Sequence, residues 1–120
     1  MPGSADQLLF AYGTLLRPTT QLDVFGRLVH ADDDILPGYA LRYCDGEDPR
    51  AADPAAHTVL PLLRPTGSEL DKVPGQLLHL SPDELDAADE FQVPLYRRAR
   101  VTVASGRRAW LYLRRPEATA

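Results

Sequence analysis

The chain has 120 residues, enough for one ordinary domain spanning 1–120, with a formal net charge of −4. At 44% hydrophobic and 25% charged it has the make-up of a globular chain, and the net acidic balance does not suggest a nucleic-acid footprint. Met1 to Gln7 has no apolar leader, no apolar run nears the roughly 20 residues of a membrane helix, and Cys44 has no internal partner, so a cytoplasmic location is expected.

Leu8 to Tyr12 is a short apolar run closed by Gly13, the pattern of a buried first strand. Pro18 keeps a long helix out of the following loop. Thr20 is placed to cap a short helix, with Leu22 and Phe25 on its inner face and Gly26 as its stop. Arg27 to Val29 and Ile35 to Tyr43 read as strands, separated by a solvated turn at Asp32-Asp33-Asp34. Pro37-Gly38 predicts a bend within the second.

Residues 44–57, rich in Asp, Gly, Pro and Ala, read as a loop. His57 to Leu63 is strand-like despite Pro61. Pro65 to Lys72 is turn and loop, and Val73 to Leu80 is another strand. Ser81, Pro82 and Glu84 then spell a helix start: N-cap, N1 proline and capping box, with Leu80 and Leu85 as the staple. This helix is expected over Pro82 to Glu90. Tyr96 to Val103 and Arg108 to Arg114 alternate as strands, joined by a hairpin turn at Ser105-Gly106. The total is about six or seven strands and two short helices, a small α+β fold.

Two blocks carry chemistry. The first is Tyr12-Gly13-Thr14-Leu15, where a glycine lets the backbone approach a ligand and the next N–H groups can cradle an anion. Alone it is also the end of any strand at a glycine turn. The second is Ala88-Asp89-Glu90-Phe91-Gln92, then Tyr96-Arg97-Arg98, then the closing strand Ala109-Trp110-Leu111-Tyr112. Taken together, and with Val73-Pro74-Gly75-Gln76-Leu77 between them, these blocks resemble the γ-glutamylcyclotransferase-like family, including its AIG2-like branch. That family has a Y-G-[ST]-L/N loop, a D-x-[FY]-E segment, a Y-x-R segment and a closing A-W-x-Y strand, in this order.

The resemblance implies a small mixed β-barrel or sheet and a reaction needing no cofactor and no metal. A γ-glutamyl amide cyclises to 5-oxoproline and frees its amine. The implied partner is that small amide, with no nucleic acid and no membrane, and the chain is expected as a monomer or weak dimer. The chemistry needs donors for the oxyanion and substrate carboxylate, which the Gly13 to Leu15 amides could supply, and a group that moves a proton. In the family that group is the Glu of D-x-[FY]-E. Here the position is Gln92, which cannot titrate.

On a helical wheel Leu85, Ala88, Asp89 and Gln92 share a face, while Glu90 points toward solvent, so Glu90 is a poor substitute. Three explanations of Gln92 stand: an engineered Glu→Gln change, a natural member with altered chemistry, or a binding protein on the same fold. Tyr96 and Tyr112 are candidate pocket hydroxyls, with core packing as the equal alternative. His30, His57 and His79 show no metal-ligand spacing along the chain. Arg97, Arg98, Arg100, Arg107 and Arg108 read as a solvated basic hairpin face.

Overall fold

A computed structural model describes residues 6–46, 58–92 and 96–114. Their strands are β1 (Gln7–Ala11), β2 (Ala31–Pro37), β3 (Tyr39–Gly46), β4 (Thr58–Pro65), β5 (Lys72–Leu80), β6 (Tyr96–Thr102) and β7 (Arg108–Arg114). Two α-helices, α1 (Pro18–Phe25) and α2 (Pro82–Gln92), and a 3-10 turn at Thr14–Leu16 complete the described elements.

Five strands form one mixed sheet in the order β2-β5-β1-β7-β6, and β3 and β4 pair separately. β1 lies antiparallel to β5, with Ala11 opposite Gln76, and parallel to β7, with Leu9 opposite Trp110. Alternation along β1 splits the core into two layers. Leu9 and Ala11 face the helix side with Leu78, Leu80, Leu85, Ala88, Tyr96 and Tyr112. Phe10 faces the other side with Leu36, Leu63, Val73, Leu77 and Leu111. The sheet is not closed into a barrel.

Local grammar explains α2. The Ser81 Oγ accepts from the Glu84 N–H at 3.2 Å, and a Glu84 carboxylate oxygen accepts from the Ser81 N–H at 2.9 Å. Such a reciprocal box satisfies two otherwise orphaned donors and contributes about 1 kcal/mol. Glu84 also receives the Arg27 guanidinium at 2.7 and 2.8 Å, which ties the stretch after α1 to the start of α2.

Several expectations differ from what is observed. α1 begins at Pro18, with Arg17 extended before it, and Thr20 lies inside the helix rather than capping it. The fixed φ of proline suits the first helical position, so Pro18 starts this helix. The inner face also differs in part: Phe25 packs against the core as expected, but Leu22 is 51% exposed and Gln21 is buried in its place. Gly26 does stop the helix, in the left-handed region at φ 72°. Arg27 to Val29 forms no strand; the Val29 N–H is instead spent on the Gln21 side chain at 3.2 Å.

The acidic run is not a turn either. Asp32, Asp33 and Asp34 lie within β2, paired with Leu77, Gln76 and Gly75. Their carboxylates find partners on both faces of the sheet, as described below, which removes the usual penalty for charge in a strand. The expected strand over 35–43 divides at Gly38, whose φ of 81° turns the chain out of the main sheet into β3. The expected loop over 44–57 begins later than its composition suggests, because β3 runs on through Gly46 opposite Thr58. Residues 47–57, including His57, lie outside the described residues.

Gly75 marks a close approach. A Cβ there would lie 2.5 Å from the Ala11 carbonyl oxygen and 2.6 Å from the Phe10 ring. Its absence lets β5 pass directly behind the strand end that leads into the Tyr12 loop.

Candidate functional site

At the carboxyl end of β1 the chain leaves the sheet and turns through Tyr12, Gly13 and Thr14. The turn is tight because the Leu16 N–H donates to the Gly13 carbonyl at 2.9 Å and the Arg17 N–H to the Thr14 carbonyl at 3.0 Å. A turn closed this way leaves its opening N–H groups without partners inside the turn. The Tyr12 hydroxyl donates to the Tyr112 carbonyl at 2.7 Å, so the loop is fastened to the neighbouring parallel strand.

Gln21 fastens it from the other side. Its side-chain amide donates to the Leu15 carbonyl at 2.9 Å, and its oxygen accepts from Val29. Sequence reasoning missed this residue. With the helix started at Pro18, Gln21, Val24 and Phe25 fall on one face at the spacing i, i+3, i+4, and that was the available signal.

A cleft of about 320 Å³, counted out to its open mouth, is lined by Phe10, Ala11, Tyr12, Gly13, Thr14, Leu15, Gln92, Tyr96 and Tyr112. All seven residues singled out in the sequence, Tyr12, Gly13, Thr14, Leu15, Gln92, Tyr96 and Tyr112, therefore meet in one place. No carboxylate and no imidazole is among these nine lining residues.

Gln92 reaches the cleft because α2 continues to it, two residues beyond the expected end. The helix buries Leu85, Ala88 and Gln92 and exposes Glu90. Asp89 sits beside the cleft with both oxygens occupied. Tyr112 donates its hydroxyl to Asp89 Oδ1 at 2.6 Å, and Arg98 Nη1 lies 3.1 Å from Asp89 Oδ2. Burial, reinforced by the Asp89 hydrogen bond and charge, pushes the Tyr112 phenol far up, so it stays a donor at any physiological pH. Asp89 thus orients Tyr112 and anchors α2 to β6 and β7. Arg98 also stacks on Trp110, at 4.3 Å from the ring centroid, and so belongs to this support rather than to a solvated face.

A second polar cluster lies on the opposite face of the sheet. Asp34 is almost fully buried, and accepts from Ser105 Oγ at 2.7 Å, the Ile35 N–H at 2.8 Å and Arg107 Nη2 at 3.2 Å. Burial pushes this carboxyl up, but the Ser105, Ile35 and Arg107 donors outweigh it and hold it below the ordinary 3.8. A carboxylate whose folded pKa is depressed stabilises the fold above its unfolded value and loses that contribution as pH falls through the folded one. Stability is therefore expected to decline below about pH 4. Asp34→Asn should flatten the decline and cost about 1–3 kcal/mol at pH 7, read by urea denaturation across pH. The basic hairpin is accordingly not uniformly solvated: Arg107 clamps the β6–β7 turn to β2.

Among the described residues, no helix is long and apolar enough to cross a membrane.

Comparison with known proteins agrees with this architecture. No curated protein matches the chain in sequence. Among solved structures, one described as a gamma-glutamyl cyclotransferase superposes with a TM-score of 0.64 at 19% identity, covering 91% of this chain and 66% of that one. A human protein described as uncharacterized gives 0.63 at 18% identity, with 92% and 67% covered. An Arabidopsis thaliana protein solved in solution gives 0.60 at 19%, with 90% and 61% covered. At these identities the likeness is one of fold, and the chain spans about three-fifths of the length of the Arabidopsis protein. The family model described as "Gamma-glutamyl cyclotransferase, AIG2-like" matches residues 9–120. That match takes in the cleft loop, α2 and the closing strand, and on it the chain belongs to the gamma-glutamyl cyclotransferase, AIG2-like family.

Proposed function

We propose that the cleft receives the γ-glutamyl end of a small amide, and that position 92 decides whether the ligand is held or cyclised. The observation that carries this reading is the convergence of Gly13, Thr14, Leu15 and the buried Gln92 on one cleft. In the cyclisation, the ligand's α-amine attacks its own side-chain carbonyl. A new C–N bond closes the 5-oxoproline ring, the old amide C–N bond breaks, and the departing amine takes a proton. The loop amides are suited to the oxyanion of the intermediate or to the ligand carboxylate. The Tyr112 hydroxyl is committed to Asp89 and shapes the wall.

One proton must leave the attacking ammonium, and one must reach the leaving amine. A carboxylate at position 92 would carry it. The carboxamide of Gln92 has the same shape and can accept a hydrogen bond from the ammonium through Oε1, but it cannot take the proton. The chain as written is therefore a γ-glutamyl-amide-binding member of the family with turnover far below that of a Glu-bearing relative.

Calorimetric titration tests the binding half. A panel of γ-glutamyl amines should include at least one that binds with 1:1 stoichiometry, while the matching α-glutamyl isomers bind at least about tenfold more weakly. Equal heats from both isomers, or none from either, would remove the γ-glutamyl assignment.

A further inference from the structure

On the sheet face opposite the helices, His30, Asp32 and His79 come together although 49 residues of sequence separate the two histidines. The β2–β5 register brings this about. Ala31 pairs with Leu78, and the His79 N–H donates to the His30 carbonyl at 2.9 Å, so the two histidines stand side by side across the strands. Asp32 follows two residues after His30 on the same face, and is diagonal to His79. Same-face neighbours at these positions are within reach of one another.

The resulting geometry is compact. His79 Nε2 is 2.7 Å from Asp32 Oδ2, His30 Nε2 is 3.2 Å from Asp32 Oδ1, and the two rings are 4.7 Å apart. One donor atom from each residue lies within 4.8 Å of the others. Zinc bonds of roughly 2.0–2.1 Å in a tetrahedral shell require donors roughly 3.3 Å apart. The cluster meets that requirement with shifts of a few tenths of an ångström to about 1.5 Å, most of them available from His30, whose side chain is 70% exposed.

We propose that His30, Asp32 and His79 form a binding site for a divalent transition metal, Zn²⁺ in particular, distinct from the cleft. Two imidazoles and one carboxylate suit zinc better than calcium or magnesium, which favour all-oxygen shells. Three protein ligands leave a fourth position for water. Arg107 sets a limit on affinity, because its Nη1 lies 3.2 Å from Asp32 Oδ2. It does not block the site. Arg107 keeps a second anchor at Asp34, 3.2 Å away, and its Nε donates to Ser105 Oγ at 3.2 Å. A bound ion would fasten edge strand β2 to β5, and its positive neighbour points to moderate rather than very tight binding.

The test is calorimetric titration of the full chain with Zn²⁺ at pH 7.5 in a non-chelating buffer. The expected result is one equivalent bound, with affinity lowered about tenfold or more in His30→Ala and in His79→Ala, the scale on which metal sites respond to such changes. His30 is exposed enough that its variant will fold, which circular dichroism checks directly. Cys44→Ser and His57→Ala should bind zinc as the parent does. No zinc binding by the parent would overturn the proposal, as would full binding by His30→Ala or loss of binding in Cys44→Ser or His57→Ala.

Discussion

Gln92→Glu is expected to raise release of 5-oxoproline from a γ-glutamyl amine by about 10²–10⁴-fold, the range general acid–base catalysis supplies. The side chain at position 92 is 7% exposed at the end of α2 and lines the same cleft as the Gly13–Leu15 loop. A carboxylate there would be poorly solvated, so its pKa would rise, which suits a group that must both take and return a proton near neutrality. The same burial has a stability signature. A carboxyl with a raised folded pKa stabilises most below its unfolded value, and loses that contribution as pH rises through the folded one. The Glu variant should therefore be less stable relative to the parent at pH 8 than at pH 4. Chromatographic measurement of 5-oxoproline across pH, beside thermal melts, checks both. Equal turnover by the two proteins would place the proton-carrying group elsewhere.

Gly75→Ala is expected to cost about 3 kcal/mol, the upper end of what overpacking a filled core usually costs. The added methyl would meet the Ala11 carbonyl oxygen at 2.5 Å and the Phe10 ring at 2.6 Å. Neither neighbour can step aside cheaply. Phe10 is 1% exposed, and Ala11 is held in register opposite Gln76. Because Ala11 leads directly into the Tyr12 loop, relief of the clash would move the cleft as well. A fall in Tm of more than about 10 °C is expected, together with weaker ligand binding. A loss below about 1 kcal/mol would show that β1 and β5 yield more easily than their register suggests.

The cleft could be found in the sequence, whereas the His30–Asp32–His79 cluster could not. The loop at Tyr12, the capping box at Ser81 and the hairpin at Ser105-Gly106 are written in neighbouring residues, where turn and capping chemistry is local. The helical wheel also separated Gln92 from Glu90. What the sequence did not reveal depends on register. The parallel pairing of β1 with β7 brings Tyr12 to the Tyr112 carbonyl across 100 residues. The pairing of β2 with β5 turns an apparent acidic loop into a strand whose charges are answered by His79, Gln76, Ser105 and Arg107. Asp-rich strands look like turns until their cross-strand partners are known. Gln21 was missed because the expected cap at Thr20 lies three residues after the observed one at Arg17, and because the inner face was centred on Leu22, one residue and about 100° from the buried Gln21.

The central claim, that the Gly13–Leu15 backbone and Gln92 together hold a γ-glutamyl group, is tested most directly by titrating the ¹⁵N-labelled chain with a γ-glutamyl amine and following its amide resonances. The predicted result is saturable shifts at Gly13, Thr14, Leu15 and the Gln92 side-chain NH₂, with His30 and His79 unmoved. Saturable shifts confined to other parts of the sheet, leaving Gly13 to Leu15 and Gln92 unchanged, would contradict it.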